Sequence, residues 1–338
     1  MQAWLIRSYG DNSVLELGDV ARPEPGPRDV LIAIRAASVN PIDWKMRDGK
    51  VRRILPFSFP AILGNDLSGV VVARGDQVSE FAVGDEVYSR PDKRRIGCFA
   101  EFIAVRADEV ARKPASLSHT EAASLPLVGL TAWQALRDVG KLESGQKVLI
   151  LAGAGGVGTF AIQLARHLGA HVTATASQPK HAFLRELGAD RLIDYRNENV
   201  ASVADDFHII FDAVGGETLR EAFAVIRPGG VVISISGVPD PQLASDWGMS
   251  LPLRLGVRLI SWPTRRRAAR RGATYRYLLM RSTGEQLAEI ARLVDAGVIK
   301  PVIDRTFPFA ATDQAMAYAE AGRATGKVVI TLDDPGTE

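Results

Sequence analysis

The sequence predicts an α/β fold in which a parallel, helix-covered sheet is joined to a mostly antiparallel β-domain. Two observations support this prediction. Short, alternating, turn-bounded segments fill the first third of the chain, at residues 30–39, 67–73, 83–88 and 99–105, as is typical of antiparallel strands. After residue 126, strand-like and helix-like segments alternate, which is typical of a parallel sheet with right-handed crossovers.

The later elements follow from the same periodicity. We expect strands at residues 148–152, 170–176, 191–194, 208–213 and 231–236. We expect helices at residues 128–136, 180–187, 217–226 and 284–295, with a short one around 313–321. A last strand at 327–332 is similar in type to the opening strands, so the C-terminus is expected to return to the first domain.

A glycine-rich turn follows the first strand of the parallel sheet. Gly153, Gly155 and Gly158 have the G-x-G-x-x-G spacing between strand and helix. These glycines permit the tight turn, the approach of a diphosphate, and close packing of helix on strand. The helix N-terminus adds free N–H groups for the anion. This predicts a dinucleotide site on a Rossmann sheet. The alternative is a membrane span over residues 148–165. It is disfavoured because this apolar segment is only just long enough to cross a bilayer and is interrupted by clustered glycines.

The residues after the second strand of the sheet favour NADPH over NADH. NAD sites usually carry Asp or Glu about 20 residues after the turn, but residues 175–180 contain no acid. Ser177 can hydrogen-bond a 2′-phosphate and Lys180 can supply charge, while the missing acid removes a source of repulsion. The alternative is that Lys180 merely opens an exposed helix face.

Composition and charge exclude several classes of protein. The chain has 338 residues, 46% hydrophobic and 24% charged, which is typical of a globular protein of two domains. Its formal net charge of +2 creates no overall field, so neither nucleic acid nor membrane is expected as a partner. Its first residues lack the apolar core of a signal peptide. The single cysteine fits a reducing compartment, so a cytoplasmic protein is expected.

Metal ligands are scarce in this sequence. Cys98 is the sole cysteine, and all five histidines lie at or after His119, so no cluster with zinc-ligand spacing can be drawn. The sequence therefore predicts a metal-free site, with Cys98 as a small packed side chain beside Phe99.

One run of positive charge stands out, formed by Arg265, Arg266, Arg267, Arg270 and Arg271. It is either a basic patch for phosphate or nucleic acid, or a solvated face. A balanced chain favours the solvated face, and the sequence assigns the run no function.

Several separated stretches resemble the zinc-independent quinone oxidoreductases of the medium-chain dehydrogenase/reductase superfamily, the zeta-crystallin-like group. They are residues 37–45, 64–71, 81–88, 97–102, 123–133, the glycine turn and 326–330. The resemblance spans essentially the whole chain and is weakest between about 239 and 275. It implies a GroES-like catalytic domain at 1–123, a Rossmann NADP-binding domain at 124–297, a return to the catalytic domain at 298–338, and a cleft between the domains of what is usually a homodimer.

The resemblance also implies a set of cofactor contacts. Asn40 is placed beside the nicotinamide, and Thr131 contacts the cofactor. Gly155, Gly156 and Val157 lie at the diphosphate, within the turn bounded by Gly153 and Gly158. The adenosine phosphate is surrounded by Ser177, Lys180 and Tyr195, and the nicotinamide side is lined by Val214, Ser236 and Lys327. For Tyr195 the alternative is that it only closes the sheet edge.

A metal-free site restricts the chemistry. Without a Lewis acid, the alkoxide charge of simple carbonyl reduction lacks a counterion, whereas quinones and α,β-unsaturated carbonyls delocalise the charge after hydride addition. Positioning and a few hydrogen bonds then suffice. Asn40 would orient the carboxamide or solvate the enolate, and the proton would come from Tyr88, Lys45 or water. Two alternatives stay open: a 2-enoyl thioester reductase, and a non-catalytic NADPH-binding protein with a structural or RNA-binding role.

Overall fold

The structure, a computed structural model, describes residues 1–52, 55–202 and 206–332. The strands are β1 (Gln2–Ile6), β2 (Leu15–Asp19), β3 (Asp29–Val39), β4 (Ala61–Ile62), β5 (Asp66–Arg74), β6 (Glu86–Ser89), β7 (Phe102–Arg106), β8 (Val110–Arg112), β9 (Lys147–Ile150), β10 (His171–Thr175), β11 (Arg191–Ile193), β12 (Phe207–Asp212), β13 (Ile226–Ser234), β14 (Thr274–Tyr277), β15 (Ile303–Pro308) and β16 (Lys327–Thr331). The helices are α1 (Pro41–Arg47), α2 (His119–Ala122), α3 (Pro126–Trp133), α4 (Gly156–His167), α5 (His181–Leu187), α6 (Gly216–Ala222), α7 (Pro241–Asp246), α8 (Leu251–Ile260), α9 (Trp262–Arg270), α10 (Gly284–Asp295) and α11 (Thr312–Glu320).

The chain divides into two units, and the first comprises Met1–Leu130 with Arg281–Glu338. Its main sheet has the order β15-β16-β3-β5-β6-β8, with β7 also paired to β3, and a smaller sheet has the order β2-β1-β4. The described pairings are antiparallel, apart from the parallel pair β15–β16. The mostly antiparallel β-domain is thereby confirmed, and β16 returns the C-terminal segment to it.

The second unit, Thr131–Met280, contains the parallel sheet. Its strand order is β11-β10-β9-β12-β13-β14, and each described neighbouring pair is parallel. Val148, Leu149 and Ile150 of β9 are fully buried, because a central strand of such a sheet is covered on both faces. The Rossmann sheet that the glycine turn predicted is therefore present.

The helix expected at 217–226 ends earlier than predicted, at Ala222. Ile226 instead pairs with Phe207 as the first residue of β13, and the register shifts before Ile209 meets Val231. That irregularity accommodates Pro228, a residue that strands tolerate only at edges and bulges. Three helices, α7 to α9, occupy a region for which the sequence predicted no element.

Helix α10 belongs to the first unit, although the expected boundary at residue 297 placed it in the Rossmann domain. A Cβ on Gly284 would lie 2.2 Å from the Val110 carbonyl oxygen of β8, so helix and strand pack with no room for a side chain. The two units divide after residue 130 and after residue 280, whereas the sequence predicted boundaries after residues 123 and 297. Residues 333–338 of the expected C-terminal segment lie outside the described residues. None of the helices in the described ranges is long and apolar enough to cross a membrane.

Candidate active site

The carboxyl edge of the parallel sheet is where a ligand is expected. Strands β10 and β11 lie on one side of β9, and β12, β13 and β14 lie on its other side. The direction in which successive strands are added therefore reverses at β9. Ligands of such sheets bind beyond the carboxyl ends of the strands at this reversal. The turn that joins β9 to α4 contains Gly153 and Gly155 and lies at that point.

The glycines of the turn have different physical roles. A Cβ on Gly158 would lie 2.2 Å from the Ala152 carbonyl oxygen, and one on Gly153 would lie 2.9 Å from the Ala174 Cβ. Both positions therefore exclude side chains. A Cβ on Gly155 would meet nothing nearer than the Ala152 oxygen at 3.5 Å. The turn is tightly packed against strand and helix but open at Gly155, which fits the approach of a diphosphate.

The start of α4 completes this cradle. The helix begins at Gly156, and its N-cap residue Gly155 provides no side-chain cap. The first N–H groups of a helix have no partner inside the helix, so the amides of the first turn, which includes Val157, suit an anion. The residues present therefore fit the dinucleotide predicted from the sequence.

Three predicted phosphate contacts follow two neighbouring strands at the same edge. Thr175 at the end of β10 is paired with Ile193 at the end of β11. Ser177 and Lys180, which follow β10, are half-buried. Tyr195, which follows β11, is 54% exposed. Its ring is therefore accessible to a ligand, and the predicted contact of Tyr195 with the phosphate stays a prediction beside the alternative that it closes the sheet edge.

The acid directly before Tyr195 is turned inward. Asp194 is buried, and its carboxylate accepts hydrogen bonds from the Arg196 amide at 3.2 Å and the Asn197 Nδ2 at 2.7 Å. Arg196 itself is exposed, with its guanidinium carbon 5.9 Å from the Tyr195 ring centroid. Sequence reasoning missed this cation, although its position directly after Tyr195 was a usable signal.

Two of the predicted nicotinamide-side residues, Val214 and Ser236, lie in loops held by a buried acid that sequence reasoning also missed. Asp212, at the end of β12, accepts hydrogen bonds from the amides of Val214 at 2.9 Å and Gly215 at 2.8 Å, and from Ser234 Oγ at 2.5 Å. Ser236 Oγ donates to the Ala213 carbonyl at 3.0 Å. The loops carrying Val214 and Ser236 are thereby fixed at the carboxyl ends of β12 and β13. Thr131 is buried in α3, and its cofactor contact stays a prediction.

Asn40 and Lys327 lie in the first unit and meet in a buried network. Lys327 Nζ donates to Asn40 Oδ1, to the Val39 carbonyl at 2.9 Å and to Asp66 Oδ2 at 3.3 Å. Asn40 Nδ2 donates to Asp66 Oδ2 at 2.8 Å, as does Ser38 Oγ at 2.8 Å. Burial lowers the pKa of the Lys327 ammonium, against the raising effect of Asp66. Asp66 is thus the shared acceptor that fixes both predicted residues.

A second acid fixes the backbone at the same place. Asp43 lies in the first turn of α1, three residues after Asn40. Its carboxylate accepts hydrogen bonds from the Asn40 amide at 2.7 Å and from Asn65 Nδ2 at 2.6 Å. Asn65 in turn accepts from the buried Arg90 at 3.1 Å. Burial raises the pKa of the Asp43 carboxyl to about 6. Lys45, on the same helix, is half-buried, and its predicted role is not decided by this position.

Tyr88 does not occupy a position that suits its predicted role as proton donor. Its side chain is fully buried, and its hydroxyl donates to the Leu287 carbonyl of α10 at 2.5 Å. Burial raises the pKa of the phenol far above its usual value. The residue joins β6 to α10 inside the first unit, and the prediction failed because the sequence does not show that α10 packs there.

Cys98 is fully buried, as its packing beside Phe99 predicted, and burial raises the pKa of its thiol well above the usual value. Within residues 1–52, 55–202 and 206–332, no group of three or more His, Cys, Asp and Glu side chains is arranged to hold a metal ion.

Comparison with known proteins places this arrangement in a family. Residues 26–115 match the family described as alcohol dehydrogenase GroES-like domain, and residues 187–330 match zinc-binding dehydrogenase. A protein of Bos taurus named NAD(P)H oxidoreductase RTN4IP1, mitochondrial, is 39% identical, covering 98% of this chain and 89% of its own length.

Two further similarities cover the same extent of the chain. The NADPH-dependent alkenal/one oxidoreductase, chloroplastic, of Arabidopsis thaliana is 34% identical over 98% of this chain and 79% of its own length. The solved structure of the quinone oxidoreductase from Coxiella burnetii is 31% identical, with a TM-score of 0.83, covering 98% of this chain and 99% of that one. With the GroES-like sheet and the Rossmann sheet both present, the chain belongs to the medium-chain dehydrogenase/reductase superfamily of oxidoreductases.

Proposed function

We propose that this protein uses NADPH to transfer hydride, without a metal ion, to quinones or α,β-unsaturated carbonyl compounds. The observation that carries the proposal is the carboxyl edge of the parallel sheet. There a glycine turn open at Gly155 lies on the same edge as Ser177, Lys180 and Tyr195, and the segment after β10 carries no acid. The names of the Arabidopsis and Coxiella relatives support this choice of cofactor and substrate.

The residues divide the work between binding and positioning. The turn and the N-terminus of α4 would hold the diphosphate, and Ser177, Lys180 and Tyr195 would hold the 2′-phosphate. When bound, NADPH supplies a hydride to the conjugated carbon. Asn40 would orient the carboxamide or hydrogen-bond the developing enolate oxygen, where a positioned donor has its largest effect. In the structure Asn40 Nδ2 donates to Asp66 at 2.8 Å and to the Ser38 carbonyl at 3.3 Å, so Asn40 must exchange one of these hydrogen bonds to contact the cofactor or the substrate.

The reaction also requires a proton. Because Tyr88 is buried, Lys45 is the remaining protein donor of the two that were predicted. Lys45 on α1 is half-buried, and water is the alternative donor. A Lys45→Ala variant separates them: a protein donor predicts a lower kcat at each pH at which the wild-type ammonium is protonated, with little change in the KM for NADPH. An unchanged pH profile assigns the proton to water.

Independence from zinc is part of the proposal, although one matching family is described as zinc-binding dehydrogenase. The single cysteine that could serve as a thiolate ligand is buried, with its pKa raised, which disfavours metal binding. Elemental analysis of the purified protein tests this point. Full turnover in protein with substoichiometric zinc is expected, and loss of turnover on chelation would contradict it.

Substrate and cofactor are tested together by a panel of quinones, alkenals and enoyl thioesters assayed with NADPH and NADH. We expect turnover of quinones or alkenals with NADPH preferred. Preferential turnover of thioesters would favour the enoyl thioester reductase, and NADPH binding without turnover would favour a non-catalytic role.

Two further expectations complete the proposal. A homodimer is proposed from the family resemblance, and light scattering of the purified protein tests it. A cytoplasmic location is proposed from the reducing compartment that a single cysteine fits, and fractionation of the source cells tests it.

A further inference from the structure

Helix α8 is largely exposed, and Val257 alone of its ten residues is half-buried, although most of its side chains are apolar. None of its ten residues is buried. Leu251, Leu255 and Leu259 are 68%, 53% and 74% exposed, and their spacing of four residues places them in one row. Leu253 and Ile260 are each 60% exposed. Single exposed leucines are ordinary, but a contiguous row marks an interaction surface.

The sequence around this helix carries charge of one sign. Between Asp246 and Glu285 the chain contains nine arginines and no Asp or Glu. Arg254 and Arg258 lie on α8, and the arginine run singled out in the sequence begins at Arg265 on α9. The whole chain has a net charge of only +2, so this segment is far more positive than the chain as a whole, whose charge predicted no membrane partner.

A cavity of about 480 Å³ lies beside the two helices and is lined by Arg254, Arg265 and Arg276. Asp240 is the acid in its lining, and one of its oxygens already caps α7 by accepting from the Leu243 amide at 2.9 Å. The other oxygen is 3.9 Å from Arg276. One acid among three guanidinium groups leaves the cavity positive, as a phosphate site requires.

Arg265 is held in place before any ligand arrives. Its Nε donates to Ser261 Oγ at 3.2 Å, and its Nη2 donates to the Arg258 carbonyl at 3.2 Å. A guanidinium fixed by neutral partners keeps its charge for an anion, and less conformational entropy is lost on binding.

We propose that the surface formed by α8 and α9 docks on an anionic phospholipid membrane. The leucine row enters the boundary of the acyl chains, and the cavity of Arg254, Arg265 and Arg276 takes a headgroup phosphate. A ten-residue helix is about 15 Å long, too short to cross a bilayer of about 30 Å. It is suited to lie in the interface, where apolar burial and attraction to anionic lipid add together.

A second copy of the chain or a nucleic acid would not match both the positive charge and the apolar row of this surface. A second copy of the chain docked through the same face would bring the six arginines of α8 and α9 against the same six, so like charges would meet. A nucleic acid would neutralise the arginines but would leave the leucine row in water. An anionic membrane matches both the charge and the apolar row, and this inference does not depend on the proposed catalytic function.

Sedimentation of the full-length protein with vesicles tests the proposal. We compare vesicles of phosphatidylcholine alone with vesicles of equal parts phosphatidylcholine and phosphatidylserine. The protein is expected to sediment with the second kind and much less with the first. Leu255→Ser with Leu259→Ser should reduce the partition coefficient at least about a hundredfold, because two apolar side chains no longer enter the acyl boundary. Arg254→Ala with Arg265→Ala should reduce it about tenfold or more, at about 1 kcal/mol per cation.

Matched substitutions elsewhere control for general effects. Leu17→Ser replaces a leucine that is 40% exposed on β2, and Arg185→Ala removes an exposed cation of α5. Neither should change the partition coefficient, and near-native thermal unfolding of the α8 variants shows that they fold. Equal sedimentation with both kinds of vesicle, or binding retained in the leucine variants, would overturn the proposal. So would a leucine variant that changes from dimer to monomer while the wild type ignores vesicles, or arginine-dependent binding of RNA without vesicle binding.

Discussion

The carboxyl edge of the Rossmann sheet and the Asn40 network of the first unit are built on opposite principles. At the edge, Tyr195 is 54% exposed and Gly155 has open space where a side chain would lie. In the network, Asn40 is 1% exposed and Asp66 is fully buried, and the amide of Asn40 has partners at both ends. The first region leaves its groups accessible, as the proposed cofactor site requires, whereas the second holds its side chains in fixed positions.

This contrast separates affinity from stability. Substitutions at an exposed edge should change cofactor binding and leave unfolding nearly unchanged. Substitutions in a buried, fully paired network should lower the free energy of unfolding first, because the remaining partners lose their hydrogen bonds in a low dielectric. The glycine turn contains both kinds of position.

The largest effect is expected within that turn. Gly158→Ala places a Cβ 2.2 Å from the Ala152 carbonyl oxygen, so α4 must shift, at a cost of about 3 kcal/mol or more. Gly155→Ala meets nothing nearer than 3.5 Å and should unfold like the wild type while binding NADPH at least tenfold more weakly. Thermal unfolding and NADPH titration of the two variants check this prediction. Equal unfolding temperatures for Gly158→Ala and Gly155→Ala would contradict it.

The next effect is expected in the network. Asn40→Ala leaves buried Lys327 and Asp66 without an amide partner, which should lower the free energy of unfolding by about 2–3 kcal/mol. Urea unfolding measures the change, with Lys50→Ala, an exposed residue just beyond α1, as the control. A loss below about 0.5 kcal/mol would show that the network is not the stabilising element described above.

The buried Asp43 predicts a pH dependence of somewhat smaller size. Burial raises its pKa from 3.8 to about 6, so the folded state binds the proton more tightly than the unfolded chain. The stability from this proton is present at acid pH and is lost as pH rises from about 4 to about 6, by about 2 kcal/mol. The unfolding free energies of wild type and Asp43→Asn, compared across this range, should diverge in that direction, and parallel curves would refute the assignment.

The smallest effect concerns the choice of cofactor. Lys180→Ala removes a cation from the proposed 2′-phosphate site and should lower kcat/KM for NADPH about tenfold, with that for NADH unchanged. Arg185→Ala, on α5 and equally positive, should leave both values as they are. A uniform loss for both cofactors would assign Lys180 a structural role instead.

The sequence predicted those parts of the molecule that depend on neighbours along the chain. The glycine turn, the strand before it and the absence of an acid after β10 are all local, and α10 was predicted at its observed bounds, Gly284–Asp295. The misplaced features depend on distant partners. Tyr88 finds its carbonyl on Leu287, and Ile226 leaves its helix to pair with Phe207.

The missed site residues have the same cause. Asp66 begins β5 and Asp212 ends β12, and the residues beside them in the sequence do not show which groups donate to them. Their partners come from other strands: Ser234 for Asp212, and Lys327 for Asp66. Buried acids of this kind require hydrogen-bond partners, so an isolated Asp at a strand end is itself a signal that a sequence-based search can use.

Transfer of deuterium from NADPH deuterated at both C4 positions tests the central claim most directly. The protein is incubated with the labelled cofactor and an α,β-unsaturated ketone or aldehyde in ordinary water, after removal of metal ions by chelation. One deuterium per molecule of product, bound to the former β-carbon, is the predicted result. Product without deuterium, or no product until zinc is restored, would contradict metal-free hydride transfer from NADPH.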